Sequence, residues 1–328
     1  MERILTYTVS SEDTITSKTC SVHHLLKHRL HITEKEISRA KFLERGILAD
    51  GQTVPTSRQL MSGQQLTVCV ERTKKEDCTL LPFSYPLSIL YEDEDLIAVE
   101  KPPHLAVHPA HGHYSDTLIN ALAAYFYEKD EWIVPRVIGR LDKDTSGLMV
   151  FAKNQPAAAR LSSRHGTGSF ARTYLALVHG SFSSPSGTVH APLGSVPGSL
   201  MKQEIRPDGA PALTRYSVLR TFQSGPASCS LLKVRIETGR THQIRVHMSS
   251  IGHPLLGDPL YHPAPGEPPF SCLFSRAALH SFQITCTQPF TGRPIRLTAG
   301  LPDDFLSFFR RQAKRNRKVP QNQHRTEK

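Results

Sequence analysis

A ten-residue polar block between two apolar segments constrains the fold of this chain more than any other part of the sequence. The block reads GRLDKDTSGL and covers residues 139–148, with apolar segments at 135–138 and 148–152. Apolar runs of this length next to glycine are typical of buried strands. A polar loop carried on rigid strands is a common place for catalytic groups. The block therefore predicts a functional loop, although spacing alone does not choose between Asp142 and Asp144.

Length and composition indicate a two-domain globular protein. The chain has 328 residues, of which 38% are hydrophobic, and its longest apolar runs fall well short of a membrane span. The first residues lack the apolar stretch and cleavage site of a signal peptide, so we expect a cytoplasmic protein. Six scattered cysteines without a CxxC pair favour reduced thiols over a structural zinc site.

Positive charge is concentrated at the C-terminus. Residues 310–328 contain eight Lys or Arg and one acid, Glu327, so they contribute +7 of the net charge of +11. Few apolar residues follow Phe309, and we expect this tail to be disordered when free. A basic tail favours nucleic acid as the partner, and a solvated solubilising tail is the alternative.

Residues 1–72 read as a small separate unit. A first helix begins near Val22, and the capping box at Thr33 opens a second helix that ends near Gly46. An Asp-Gly hairpin signal and the strand at 65–70 follow. This order resembles the S4 RNA-binding domain, and Lys41 and Arg45 are its candidate RNA-binding residues. An ordinary solvated helix is the alternative for these cations.

A larger domain at 87–309 follows a polar, proline-bearing linker at 73–86. Short strand signals alternate with two helix signals. The strand signals lie at 96–100, 148–152, 173–178, 212–219 and 230–236, and the helix signals lie at 117–127 and 155–165. This pattern predicts an α+β fold with a large, mainly antiparallel mixed sheet.

Four segments of the larger domain resemble the RluA family of RNA pseudouridine synthases, in the family's order. They are VEKPPHLAVHP at 99–109, the RLD block at 140–142 with TSG at 145–147, ARTYLALVHG at 171–180, and ETGRTHQIRVH at 237–247 with GHPLLGD at 252–258. Glu100 and His104 depart from the family's Asn and Gly, and Gly139 replaces the usual His before the RLD block. Four matches in register over about two-thirds of the chain favour family membership.

The resemblance implies a pseudouridine synthase fold, an isomerase activity and three catalytic residues. Asp142 corresponds to the carboxylate that acts near C1′ of the target uridine, as nucleophile or base. A carboxylate in a water-excluding pocket needs a cation to remain ionised, and Arg245 corresponds to that partner. Tyr174 corresponds to the aromatic residue that packs on the base. The isomerisation involves no redox step, so no cofactor is expected.

The resemblance also implies RNA contacts around this site. Arg140 corresponds to the residue that fills the space of an unstacked uridine. Arg240 and His242 belong to the last segment and are further RNA-binding candidates. The expected partner is structured RNA, with ribosomal RNA favoured over transfer RNA, and the expected state is a monomer. No metal is expected, because His242 and His247 lie five residues apart rather than the four of a helical metal-binding pair.

Two other functions fit parts of the sequence. A non-catalytic RNA-binding assembly factor on the same fold predicts RNA affinity without turnover. A glycosidic-bond hydrolase predicts release of free base and needs a pair of carboxylates. The presence of Asp142, Tyr174 and Arg245 in one sequence favours a pseudouridine synthase over both of these alternatives.

Overall fold

The N-terminal unit combines two helices with a small antiparallel sheet. In the computed structural model, which describes residues 2–15, 17–110, 112–163, 170–199, 201–224, 227–261 and 273–318, the sheet has the order β1-β6-β3-β4. Its elements are β1 (Glu2–Thr8), β2 (Cys20–Ser21), α1 (Val22–His28), α2 (Glu34–Phe42), β3 (Ile47–Ala49), β4 (Gln52–Thr53), β5 (Gln59–Leu60) and β6 (Gln65–Arg72). The predicted capping box forms, since the Thr33 hydroxyl accepts from the Glu36 amide and Glu36 accepts from the Thr33 amide.

The order of two helices, a hairpin and a strand is the predicted one. The Asp50-Gly51 turn joins β3 to β4, as expected. The sequence did not predict β1, which pairs with β6 along its length. The S4 assignment itself, and the boundary at residue 72, stay predictions.

The segment after β6 packs on the larger domain. Phe83 and Tyr85 contact its hydrophobic core. The Asn120 side-chain amide donates to the Leu81 carbonyl at 2.8 Å, and the Phe83 amide donates to the Asn120 carbonyl at 3.1 Å. These contacts attach the second half of the predicted linker to the larger domain.

A ten-stranded mixed sheet forms the larger domain, which confirms the predicted α+β class. Its strands run in the order β12-β15-β16-β11-β17-β10-β8-β7, with β18 beside β17 and β9 beside β10. Among these pairs β10 and β17 are parallel, and the others are antiparallel. The elements are β7 (Ser88–Glu92), β8 (Leu96–Lys101), α3 (Leu118–Glu128), β9 (Arg136–Val137), β10 (Ser146–Ala152), α4 (Gln155–Ser163), β11 (Phe170–His179), β12 (Ser186–His190), β13 (Leu193–Ser195), β14 (Gln203–Ile205), β15 (Leu213–Ser224), β16 (Ala227–Ile236), α5 (Gln243–Ser250), β17 (Leu279–Thr287), β18 (Pro294–Thr298) and α6 (Asp303–Lys318).

Both faces of the sheet are covered, which is why β10 is buried along its whole length. Met149 and Phe151 face one side, where α3 and α5 pack, and we call this the front face. Leu148 and Val150 face the opposite side, which α4 covers. On that side α6 packs against neighbouring strands. The predicted functional loop, between β9 and β10, therefore has a rigid base.

The basic C-terminal segment differs from the expectation of disorder. Helix α6 continues to Lys318, so the prediction is wrong for 310–318, whereas 319–328 lie outside the described residues. Phe305, Phe308 and Gln312 are spaced by three and four residues and are buried against the sheet. No helix among the described residues has both the length and the apolar composition that crossing a membrane requires.

Arginine–carboxylate pairs attach the N-terminal unit to the larger domain. Arg160 of α4 contacts both carboxylate oxygens of Glu36 at 2.6 and 3.1 Å and donates to the His31 carbonyl. Arg3 pairs with Asp95 at 2.6 Å and with Glu94 at 2.8 Å, and Arg136 pairs with Glu71 at 2.8 Å. The position of the small unit is thus set by specific polar contacts.

Candidate active site

A cleft on the front face brings together six of the eight predicted site residues. Its empty volume is about 430 Å³, and the loop before β10 and the loop before α5 form its walls. The six residues that line it are Arg140, Asp142, Tyr174, Arg240, His242 and Arg245. The other two, Lys41 and Arg45, are exposed at the end of α2 in the N-terminal unit.

Asp142 projects into the cleft from a tight turn. The neighbouring Leu141 is buried in the front core, and the Asp142 carbonyl accepts from the Thr145 amide at 3.1 Å. The Asp142 side chain is 21% exposed. Asp144 instead contacts the His104 ring at 2.9 Å and does not line the cleft. The geometry therefore separates the two carboxylates that sequence spacing left equivalent.

A buried lysine holds this loop from beneath. Lys101 is fully buried, and its ammonium donates to the carbonyls of Pro102 at 2.7 Å, Leu105 at 3.0 Å and Lys143 at 2.7 Å. Burial lowers the pKa of Lys101 to about 7, and the nearby Asp144 opposes this shift. Three carbonyl acceptors match the three donors of an ammonium group, so the lysine fixes the turn after β8 to the functional loop.

A buried arginine supports the same loop at Asp144, the residue after Lys143. Arg276 is 2% exposed and donates to the Asp144 carbonyl at 3.0 Å and to the Ser146 hydroxyl at 3.1 Å. It also binds both carboxylate oxygens of Asp304, at 2.8 and 3.1 Å, in the first turn of α6. Helix α6 is therefore connected to the functional loop through one guanidinium group.

Arg245 lies between two carboxylates. It binds Asp258 through two hydrogen bonds of 2.7 Å and lies 3.8 Å from an Asp142 oxygen. Burial alone would lower the pKa of Arg245, but the Asp258 carboxylate raises it above its ordinary value. A permanently charged guanidinium thus faces the Asp142 carboxylate, and Asp258 fixes its orientation.

His242 occupies the turn immediately before α5. It adopts a left-handed conformation with φ of 54°, and α5 begins at the next residue, Gln243. Its ring lies 2.8 Å from the Tyr261 hydroxyl on one side and 3.9 Å from an Asp142 oxygen on the other. Burial lowers the pKa of His242, and Asp142 opposes the shift. The imidazole is therefore mainly neutral at neutral pH.

Tyr174 forms the floor of the cleft from the middle of β11. It is 3% exposed, and burial raises the pKa of its hydroxyl while the neighbouring Arg172 opposes the shift. Arg172 itself donates to the Arg140 carbonyl at 3.2 Å. The Arg140 side chain is exposed at the rim, and so is that of Arg240, whose guanidinium donates to the Pro211 carbonyl.

Sequence reasoning assigned no role to several residues that build this site. They are Lys101, Arg172, Asp258, Tyr261 and Arg276. Lys101 and Asp258 lie within two of the four matched segments, where a charged residue in an apolar context was the available signal. The contacts of Arg276 span about 130 residues of sequence, so no local pattern predicts them. The described cysteines are free thiols, and Cys272 lies outside the described residues.

The front-face cleft of the mixed sheet combines an aspartate, a tyrosine and a paired arginine. Comparisons with known proteins place a protein with this fold and cleft among the RNA pseudouridine synthases. Residues 95–250 match the family model described as RNA pseudouridylate synthase. In solved structures, the human RNA Pseudouridylate Synthase Domain Containing 1 and 4 proteins each superpose with a TM-score of 0.55, at 27% and 25% identity. They cover 70% and 69% of this chain, and 89% and 93% of the human chains.

Curated relatives narrow the class to one family. The chain is 37% identical over 261 residues to the RNA pseudouridine synthase YlyB of Bacillus subtilis, covering 79% of this chain and 82% of the relative. It is 36% identical over 275 residues to the Ribosomal large subunit pseudouridine synthase D of Escherichia coli K12, covering 80% and 82%. The chain therefore belongs to the RluA family of RNA pseudouridine synthases, a family of isomerases.

Proposed function

We propose that this protein isomerises specific uridines of structured RNA, with ribosomal RNA as the substrate, and that Asp142 is the catalytic carboxylate. One observation supports the assignment most strongly. The Asp142 side chain enters the cleft within 4 Å of both Arg245 and His242, above the buried ring of Tyr174. The names of several relatives as large-subunit ribosomal enzymes support the choice of RNA.

The reaction requires a carboxylate and little else from the protein. The N1–C1′ bond breaks, the uracil turns over, and C5 bonds to C1′ while the C5 proton is released and N1 regains a proton. Two routes are open to Asp142, attack on C1′ as a nucleophile and proton abstraction as a base. Both require an ionised carboxylate, and the Arg245 guanidinium lies 3.8 Å from this one.

Two further side chains of the cleft have distinct roles in this proposal. Tyr174 supplies an aromatic surface for the uracil ring, and its hydroxyl is available to relay a proton. Arg245 stabilises the charge of Asp142, and Asp258 keeps it in place. The residues that hold the loop from beneath keep these groups in one arrangement, which lowers the cost of reaching the transition state.

Access to the target uridine requires it to leave the base stack. The exposed Arg140 side chain is the group we assign to the vacated place, because a planar guanidinium stacks well on neighbouring bases. Arg240 at the rim and His242 beside Asp142 would contact the flipped nucleotide. These roles follow from the family positions of the residues together with their place in the cleft.

RNA docking extends beyond the cleft in this proposal. The N-terminal unit would act as an S4-like RNA-binding domain through Lys41 and Arg45, and the basic residues of α6 would add phosphate contacts. Binding through phosphates weakens steeply with salt. We place the protein in the cytoplasm, where ribosomal RNA is available for modification.

Pseudouridine mapping in cells with and without this gene tests the proposal. We expect at least one ribosomal RNA site to lose its pseudouridine on deletion, to regain it with the wild-type gene, and not to regain it with Asp142→Ala. If no site changes while the protein still co-purifies with ribosomes, the protein is a binding factor and the proposed activity is wrong.

A further inference from the structure

Arg172 lies at the point where the two walls of the cleft come closest to β11. It is only 7% exposed, yet it lines the cleft together with Arg140 and Tyr174. One wall is the loop that starts at Gly139, and the other is the loop that includes Gly239. A single buried guanidinium therefore contacts both sides of the site.

At both of these glycines the Arg172 guanidinium occupies the space in which a side chain would begin. A Cβ at Gly139 would lie 2.8 Å from the Cζ and both Nη atoms of Arg172, and one at Gly239 would lie 3.0 Å from Nη2. Gly139 also has φ of +73°, a conformation that side chains disfavour. The Arg172 guanidinium thus fills the part of the cleft into which side chains at these two positions would extend.

Arg172 interacts with two groups of the cleft, the Arg140 main chain and the Tyr174 hydroxyl. Its Nη1 donates to the Arg140 carbonyl at 3.2 Å, which fixes the main chain from which the exposed Arg140 side chain projects. Its charge acts on the buried Tyr174 hydroxyl, two residues along the same strand. A planar guanidinium fits a narrow slot between two backbone segments, whereas an ammonium group would bind one of them only.

We propose that Arg172 is a positioning residue of this active site, which sets the main chain at Arg140 and the Tyr174 hydroxyl relative to each other. The inference rests on the proposed function and names a residue that holds two groups in place, the main chain that carries Arg140 and the Tyr174 hydroxyl. Arg172 and Gly139 act as one unit in this scheme, so changes at the two positions are expected to be non-additive.

Tritium release from RNA provides the assay. Bond formation at C5 expels the C5 hydrogen, so RNA labelled with [5-³H]uridine releases tritium when pseudouridine forms. The probe is labelled ribosomal RNA from cells that lack this gene, and the protein is the full chain. Single-turnover rate, RNA dissociation constant and melting temperature are measured for every variant.

Arg172→Met keeps the unbranched stem of the side chain and removes the guanidinium group with its donors. We expect the single-turnover rate to fall roughly 30- to 100-fold, as small misplacements of reacting groups do, with the RNA dissociation constant changed by less than about threefold. Gly139→Ala should slow the reaction by at least about tenfold, because its methyl group displaces the guanidinium. The matched control is Gly292→Ala, which has the same kind of strained backbone, φ +69°, but open space around it. It should stay within about threefold of wild type.

Combining the two changes distinguishes positioning from simple packing. In Arg172→Met/Gly139→Ala the collision is absent, so the double variant should be no more than about threefold slower than Arg172→Met alone. Gly239→Ala provides a second route if Arg172→Met does not fold, since it moves the guanidinium without removing it, and it should also lower the rate with little effect on RNA binding.

The outcomes separate the two hypotheses. If the wild type releases tritium but Arg172→Met reacts at the wild-type rate, or if the rate losses of the two changes simply multiply, Arg172 is a packing residue and the inference is wrong. Loss of RNA affinity at an unchanged saturating rate also contradicts it. If the wild type releases no tritium, the proposed function itself fails.

Discussion

Two sets of arginine–carboxylate pairs in this protein have similar geometry and different tasks. Beneath the cleft, Arg245 binds Asp258 and Arg276 binds Asp304, with arginine side chains that are 7% and 1% exposed. At the interface with the N-terminal unit, Arg160 binds Glu36 and is 12% exposed. The first set joins loops within one domain, and the second joins two separate units. Contacts of the same kind therefore hold the loops of the cleft in one region and attach the N-terminal unit in the other.

The difference follows from what surrounds each pair. Arg276 also bonds to the Asp144 carbonyl of the functional loop and to the Leu279 carbonyl of β17, so its loss would leave several buried groups without partners. Arg160 contacts the ring of Phe290 and the His31 carbonyl, and loss of its charge would mainly loosen an interface. We expect changes in the first set to alter the rate, and changes in the second to alter how the N-terminal unit is held.

Asp258→Asn should have the largest effect of these changes. It leaves the Arg245 charge buried with a neutral amide in place of its carboxylate, and breaking a buried pair in this way costs about 3–5 kcal/mol. The released guanidinium would also turn toward Asp142 and disturb its position. We expect a fall in the free energy of unfolding by denaturant, and a loss of tritium release of at least about 100-fold in the fraction that folds.

The matched control is Asp208→Asn, which breaks an exposed pair with Arg206. It should leave both stability and rate at the wild-type values. If Asp258→Asn behaved like this control, the Arg245–Asp258 pair would not support the active site.

Arg276→Met should come next and provides the clearest contrast with the interface. It removes the donors to the Asp144 carbonyl and leaves Asp304 without its partner, so we expect a loss of about 3 kcal/mol in unfolding free energy and a lower kcat with KM unchanged. Arg160→Met should leave kcat unchanged. Steady-state kinetics of the two variants, with unfolding curves, checks the prediction; equal effects on kcat would remove the distinction between the two sets.

Acidification should weaken the interface through Glu36. Burial raises the pKa of Glu36, but hydrogen bonds from Arg160 and Thr33 lower it overall below its ordinary 4.5. A carboxyl group whose pKa is depressed in the folded state stabilises the protein at pH values above its ordinary pKa. This stabilisation is lost as the pH falls through the lower pKa of the folded state. Denaturant unfolding between about pH 3 and 6 should therefore show a larger loss of stability on acidification in the wild type than in Glu36→Gln. Parallel pH profiles for the two proteins would contradict the prediction.

The smallest effects should come from the exposed cations of the N-terminal unit. Each of Lys41→Gln and Arg45→Gln should weaken RNA binding several-fold and reduce the salt slope by about 0.7–0.9, because one phosphate contact is lost. The rate at saturating RNA should not change. Glu44→Gln, at a neighbouring exposed position, should leave the slope at its wild-type value. An unchanged slope for both cation variants would exclude these residues from the RNA interface.

The sequence predicted the parts of this molecule that local patterns encode. Capping at Thr33, the turn at Asp50 and the strands that flank the functional loop follow from neighbouring residues, and the structure has all of them. The choice of Asp142 over Asp144 came from family resemblance, and the cleft geometry agrees with it. The roles of these residues in catalysis stay predictions.

Features that depend on distant partners were not predicted. Residues from Arg310 onward were expected to be disordered because of their basic composition, but up to Lys318 they continue helix α6, whose Phe305 and Phe308 pack against the sheet. Arg276 lies in a segment without a local signal, and its partners come from both sides of it in the chain. Gly139 departs from the family pattern, and the structure shows both its positive φ of +73° and the Arg172 guanidinium beside it, neither of which a local pattern predicts.

The most direct measurement is single-turnover tritium release by Asp142→Asn beside the wild type, on the same labelled ribosomal RNA. The substitution preserves the shape of the side chain and removes its charge and nucleophilicity. We predict that release falls below about one-thousandth of the wild-type rate, while RNA affinity stays within about threefold and the melting temperature is unchanged. Release within about tenfold of wild type, by a protein that binds the RNA normally, would show that another group carries the reaction.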